Sequence, residues 1–176
     1  MCENNSIDLF NSEGKDLTIH QFCELMNYLE DEQPMVYQGK GTFQRLIVHK
    51  NNGANENEIE TLVSHFKTLK IPADLISFLK FSNGISFFEY SDACFLSVNE
   101  IIELSEEAYD GFIQFADCNE DSFYLKCDGS ERNVYVSEEN IDEPRPLNMS
   151  FGAFIDACLI SGFSYFWLWG RKNDLY

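Results

Sequence analysis

The side chains able to make or break bonds are few and scattered along the chain. Three histidines, His20, His49 and His65, all lie in the first part, and six cysteines, Cys2, Cys23, Cys94, Cys118, Cys127 and Cys158, contain no C-x-x-C pair. A zinc site needs ligands at short, set spacings, and neither paired cysteines nor an H-x-x-x-H turn occurs, so no metal site is predicted. Cys118 with His65 can be drawn as a thiolate nucleophile and its base. Nothing in the spacing favours that pair over a packed thiol and a structural or exposed histidine. The segment Asp117 to Asp121, DCNED, offers oxygen ligands for calcium but lacks the EF-hand spacing and its glycine, so a solvated turn is the better reading. No G-x-S-x-G, P-loop or dinucleotide fingerprint is present. Carboxylates are plentiful, yet acid and base roles require a geometry that sequence does not fix. The expectation is a protein with no catalytic residues and no cofactor, acting through binding.

Charge says what it binds. Thirty acidic against 12 basic residues give a formal charge of -18, which argues against nucleic acid or an anionic membrane surface and favours a basic protein partner. The acidity is uneven, with 16 of the acidic and two of the basic residues between Ile85 and Glu143. Within that stretch Glu89, Asp92, Asp110, Asp117, Glu120, Asp121 and Asp128 fall at expected strand ends and turns. There they can reach a partner without disturbing a core, so they are the candidate contact residues. The competing account is a solvated acidic face that serves solubility. The first ten residues, MCENNSIDLF, carry no basic region or apolar run. A cytoplasmic protein with its cysteines as thiols is therefore expected.

The element that must organise these groups is Ile71 to Gly84, IPADLISFLKFSNG. Pro72 suits the first position of a helix, Asp74 complements the helix dipole, and Leu75, Ile76, Phe78, Leu79 and Phe81 make most of its circumference apolar. Asn83-Gly84 tolerates the left-handed conformation that ends a helix, with Ile85 packing back on it. Before it, Ile19, Phe22, Cys23, Met26 and Leu29 form a helical stripe with Thr18 and Gln21 as a capping box, closed by Glu30 to Glu32 and Pro34. TFQRLIVH, residues 42–49, predicts one strand, residues 51–58 a turn-rich linker, and Ile59, Leu62, Val63, Phe66 and Leu69 a second helix.

After Gly84 the period shortens. ISFFEY and ACFLS predict a hairpin around Ser91-Asp92, and Ser97 with Glu100 a capping box opening a short helix. Phe112 to Ala116, Ser122 to Cys127 and Asn133 to Ser137 follow as an antiparallel meander with turns at Asp117 to Asp121 and Asp128 to Ser130, stopped by Pro144 and Pro146. Ser150 caps a last helix carrying Phe151, Phe154, Ile155, Cys158 and Leu159. Residues 151–170 hold one charge in twenty, long enough for a membrane span. Asp156 at mid-span and interior glycines and serines weigh against that, so a packed helix with an aromatic tail, Phe163 to Trp169, is expected.

Ile71-Pro72-Ala73-Asp74-Leu75, Phe78-Leu79 and Asn83-Gly84, then a strand pair, the Ser97 to Ile102 segment, Phe112 to Asp117, Tyr124 to Asp128, Val134-Tyr135-Val136 and Ser150-Phe151 with Phe154, resemble the SUKH superfamily over about residues 57–160. The sequence departs at Ile85, where the family often continues with another glycine. The resemblance implies an α+β fold, a mainly antiparallel β-sheet packed against several α-helices. On this reading residues 1–56 are an N-terminal extension with a helix and a strand, and residues 57–176 the main domain, the two packed as one unit. It also implies a binding function. Members of the immunity type neutralise a cognate polymorphic toxin, often a nuclease or another nucleic-acid-modifying domain, while others are regulatory or scaffold adaptors.

Overall fold

In a computed structural model the chain is described at residues 19–33, 35–39, 42–45, 47–87, 93–104, 110–118, 120–137, 143–161 and Phe166. In chain order these form α1 (Ile19–Glu32), β1 (Met35–Gly39), β2 (Thr42–Arg45), β3 (Val48–Lys50), α2 (Glu56–His65), α3 (Ala73–Phe81), β4 (Ile85–Phe87) and β5 (Ala93–Phe95). They continue as α4 (Val98–Glu103), β6 (Phe112–Cys118), β7 (Asp121–Lys126), β8 (Val134–Ser137), β9 (Arg145–Pro146) and α5 (Phe151–Ile160). β1 and β2 pair with each other, and β3 to β9 form a seven-stranded sheet in which neighbours in sequence are neighbours in space. Every pairing is antiparallel. The fold is thus the α+β class anticipated from the sequence.

One face of the sheet is buried under helices because strand alternation turns its apolar residues to one side. Ile85, Phe87, Ala93, Phe95, Phe123, Leu125, Val134 and Val136 join Leu75, Phe78 and Leu79 of α3 and Phe151, Phe154, Ile155 and Cys158 of α5 in a single core. Phenylalanine fills its centre. Phe78 lies 4.9 Å from Phe95 and 5.8 Å from Phe151, and Phe115 lies 5.2 Å from both Phe151 and Phe154, mostly edge-on or tilted. Such geometry sets positive ring edges against negative faces, adding about 0.5–1.5 kcal/mol per pair to the burial of the rings. Among the described residues no helix is long and apolar enough to cross a membrane, and the 151–170 stretch enters the core through α5 instead. Of its aromatic tail, Phe166 is buried with its ring 5.6 Å from that of Phe154; Phe163, Tyr165, Trp167 and Trp169 lie outside the described residues.

Several local expectations are corrected. Pro72 is the cap of α3 rather than its first helical residue. The helix ends through an extended Ser82 (φ -148°), and the left-handed turn falls on Gly84 alone (φ +99°); Ile85 opens β4 and is buried in the same core as the apolar residues of α3. TFQRLIVH is two strands in two sheets, β2 and β3, and β1 was not anticipated at all. α2 starts at Glu56, inside the expected linker, because Asn55 and Glu58 form a capping box. Val63, on the expected apolar stripe, is 48% exposed. Pro146 does not stop the sheet: it pairs opposite Tyr135 in β9, an edge strand, where a missing N–H leaves no inner bond broken. Asp117, Cys118 and Asp121 belong to strands, so of the described residues of this segment only Glu120 lies in the turn between β6 and β7.

Candidate functional site

The face of the sheet turned away from α3 and α5 carries polar groups in register. Pairing runs His49 opposite Ser86, Ser86 opposite Cys94, Cys94 opposite Asp117, Asp117 opposite Ser122 and Ser122 opposite Ser137, one line across six strands from β3 to β8. A second line joins Gln114, Tyr124, Tyr135 and Pro146. Beside it Phe112 meets Tyr135 edge-on at 5.0 Å.

A bulge in β6 makes the centre of this face. The register of β6 against β7 shifts between Gln114 and Ala116, leaving Phe115 as an extra residue. Residues three apart in an unbroken strand point to opposite faces; one extra residue between them returns both to the same face. Gln114 and Asp117 therefore meet, with Gln114 Nε2 donating to Asp117 Oδ1 at 2.8 Å, while Ser122 Oγ donates to the same oxygen at 2.7 Å. Burial pushes the Asp117 carboxyl above its ordinary range, the bonds from Ser122 and Gln114 oppose that, and the charge of Glu100 on α4 adds to it. Glu100 reaches this face from the first turn of α4, where its Oε2 accepts the Ser97 N–H at 2.7 Å. Beside Glu100 lies a cleft of about 180 Å3 bounded by His49, Asn51, Gly84, Ile85, Ser86, Cys94, Phe95 and Glu100.

A separate polar cluster sits where α3 ends. Asn83 donates its N–H to Asn52 O (3.0 Å) and its Nδ2 to Glu58 Oε1 (3.0 Å). Its Oδ1 accepts from the Val98 N–H (2.7 Å) and its carbonyl from Asn51 Nδ2 (2.9 Å). One residue thus ties the 51–55 loop, through its backbone, and α2, through its side chain, to the start of α4. Gly53 lies flush on α3, since a Cβ there would sit 1.9 Å from Lys80 O.

The five described candidate acidic residues do not gather in one patch. Glu89 and Asp92 lie outside the described residues. Asp117, Glu120 and Asp121 lie at the end of the sheet where Cys118 pairs with Asp121. Asp110 and Asp128 are exposed near the opposite end, where Phe112 pairs with Lys126. Asp128 is held by its own turn: it accepts the Ser130 N–H at 2.9 Å and pairs with Lys126 at 3.3 Å. Bonds from Ser130, then Lys126, lower its carboxyl to about 2. Of the residues expected to bound the central helix, Pro72 caps α3 without a side-chain bond, Asn83 forms the junction just described, and the Gly84 carbonyl accepts the Asn51 N–H at 3.2 Å.

His49, Ser86, Glu100 and Gln114 were not singled out as site residues from the sequence. The available signal was a polar residue alternating with apolar ones in VHK and ISF, which marks a second face but not what lies across from it. Cys118 is buried and lines a small apolar void with Phe154 and Cys158, whereas His65 is exposed at the end of α2, so their drawn pairing gains no support. Burial pushes Cys127 up to about 12 and Cys158 well above the ordinary thiol range, which keeps both as protonated packing groups. Among the described residues no three His, Cys, Asp or Glu side chains gather as a metal site.

Compared with known protein families, residues 53–157 match the family described as SMI1 / KNR4 family (SUKH-1). A comparison with curated proteins finds no match.

Proposed function

Since the chain belongs to the SMI1 / KNR4 family (SUKH-1), we propose that it is an immunity protein that binds and neutralises a cognate polymorphic toxin inside the producing cell. The toxin class it suits is a nuclease or another nucleic-acid-modifying domain with a basic cleft. The observation that carries this reading is the family match over residues 53–157, on a chain whose formal charge is -18. Carboxylates can take the electrostatic place of nucleic-acid phosphates in such a cleft, and opposite net charges speed encounter. The polar, non-helical face of the sheet and the acidic turns are the surfaces open to that contact. The alternative is a regulatory adaptor of the same fold.

The test is co-expression with the toxin domain encoded beside this chain in its own genome. Cells should survive the toxin only when this protein is present, and the two should co-purify as a salt-sensitive complex. Unchanged killing with no complex, or a gene with no toxin neighbour and a stable complex with a regulatory protein, would replace the immunity reading with the adaptor.

A further inference from the structure

We propose that Asn52-Gly53 is a site of spontaneous covalent modification, at which the Asn52 amide is lost through a cyclic imide and the chain is rejoined as isoaspartate. The site does not depend on the function proposed above.

Asparagine is chemically labile, and least hindered before glycine, which sets no Cβ beside its own nitrogen. The chain holds two such pairs, Asn52-Gly53 and Asn83-Gly84, and the fold treats them oppositely. Asn83 is locked. Its Oδ1 accepts the Val98 N–H at 2.7 Å and its Nδ2 donates to Glu58 Oε1 at 3.0 Å, so its amide turns onto the Gly84 nitrogen only by giving up both bonds. Asn52 and Gly53 are exposed, whereas Gly84 is buried. Among the described residues the Asn52 side chain makes no hydrogen bond and the Gly53 N–H has no acceptor. The loop is pinned on either side of the reacting atoms, by Asn83 N–H to Asn52 O (3.0 Å) and Ala54 N–H to Leu79 O (2.8 Å). Those bonds leave the amide carbon and the attacking nitrogen unengaged.

The chemistry needs only the chain and water. The Gly53 nitrogen gives its proton to hydroxide and attacks Asn52 Cγ. As the N–Cγ bond forms, the Cγ–Nδ2 bond breaks, and Nδ2 takes a proton from water and leaves as ammonia. Water then opens the five-membered ring. Its attack on the Asn52 main-chain carbonyl leaves Gly53 joined through Cγ, which is isoaspartate; its attack on Cγ leaves aspartate. Either product has exchanged NH2 for OH and carries one more negative charge at neutral pH.

The position gives the change a structural consequence. Isoaspartate routes the backbone through Cβ and Cγ, one methylene longer, and turns the carbonyl that accepts the Asn83 N–H into a carboxylate outside the main chain. The loop has no slack to absorb this, since even a Cβ on Gly53 would lie 1.9 Å from Lys80 O. The lengthened segment lifts from α3, parting the Ala54 N–H from Leu79 O and the Asn83 N–H from its acceptor. A slow reaction in an exposed loop thereby loosens the joint between α3, α2 and α4.

The experiment is incubation of the full chain, native and in urea, in warm buffer at mildly alkaline pH. Peptide mapping by mass spectrometry and enzymatic methylation of isoaspartate then read the products. In urea both Asn-Gly pairs should convert at similar rates. In the native chain Asn52 should go on converting, while Asn83 should be slower than Asn52 by about tenfold or more, the effect of two hydrogen bonds that must first be given up. Asp110-Gly111 and Asp128-Gly129 close the same ring by losing water, but their products carry no mass gain and are told apart by it. Asn52→Gln should abolish the gain in that peptide and leave the fold intact, because the side chain is exposed. Native Asn52 protected as strongly as Asn83, or Asn83 converting first, overturns the site. The modified chain, separated by its added charge, should exchange the amide hydrogens of Ala54 and Asn83 faster than the unmodified chain; unchanged protection at both overturns the loosening.

Discussion

The cluster around Asn83 and the cluster around Asp117 are built from the same kinds of groups, yet they end in different states. At Asn83 the backbone N–H, the backbone carbonyl, the side-chain oxygen and the side-chain nitrogen all have partners within 3.0 Å. At Asp117 two donors crowd one carboxylate oxygen and, among the described residues, leave the other without one. A buried polar network is stable when every member is satisfied, so saturation marks a joint in the architecture. An acceptor that the fold leaves open is available to water or to a ligand. The difference separates polarity that the fold consumes from polarity that it leaves accessible.

Breaking the saturated cluster should cost the most. Gly53→Ala drives a methyl to 1.9 Å from Lys80 O, a backbone atom that cannot swing away. The 51–55 loop must then detach from α3, and urea unfolding should show a loss of about 3 kcal/mol. A loss below about 0.5 kcal/mol would mean that this junction is soft and the contrast is overstated.

Next in size is Asn83→Ala. It removes the acceptor of the Val98 N–H and the donor to Glu58, leaving a part-buried amide without a partner. The expected loss is about 2 kcal/mol, since an unsatisfied buried donor costs about 1–3 kcal/mol. Asn83→Asp separates the two contributions: it keeps the acceptor but sets a second carboxylate against Glu58. It should be intermediate in stability at low pH and as poor as alanine at neutral pH, measured by the same unfolding curves.

These clusters were unequally legible in the sequence. Ser97 and Glu100 announced their capping box because both residue types and their spacing are local. Asn55 and Glu58 form the same device but were hidden in an asparagine-rich run that reads as a turn. The helix from Pro72, the meander and the apolar stripe of α5 all follow from periodicity and stood where expected, with ends displaced by a residue or two. The site was much less visible. Its central line joins His49 to Ser137 through five pairings, and register is a property of the whole sheet. The bulge at Phe115 is harder still, because a single extra residue leaves no composition signal, yet without it Asp117 would point into the phenylalanine core. The Asp- and Asn-rich composition of Asp117 to Asp121 reads as a solvated turn, although Asp117, Cys118 and Asp121 are strand residues.

The third prediction sharpens the comparison through pH. The Asp117 carboxyl is raised by burial, so its protonated form is favoured in the fold. Its contribution to stability is therefore present below the ordinary carboxylate range and lost as pH rises through the raised folded value. Asp117→Asn cannot ionise and keeps an oxygen to accept from Ser122 and Gln114. Its stability relative to wild type should improve as pH rises from below the ordinary carboxylate range through the raised folded value. A difference that is flat in pH, or that favours wild type at neutral pH, would show that Asp117 is not held at a cost and that the open oxygen is simply hydrated.

The smallest effect belongs to Asp128, which makes the opposite case within the same acidic stretch. Its carboxyl is lowered to about 2, first by bonds from Ser130 and then by Lys126. A depressed folded value contributes stability that is present above the ordinary carboxylate range and lost as pH falls through about 2, the reverse of Asp117. Asp128→Asn should thus be slightly less stable than wild type at neutral pH and should match it in strong acid. The change is small because the carboxylate is exposed, and exposed pairs are weakened by water and salt. Salt also apportions the cause. In about 1 M salt, where the screening length falls to about 3 Å, the attraction of Lys126 should fade while the Ser130 bonds persist. An NMR titration of Asp128 should then still give a depressed value. Return to the ordinary value in salt would assign the shift to Lys126, and Asp128 would become a charge that an incoming basic partner could compete for, placing it with Asp117 rather than against it.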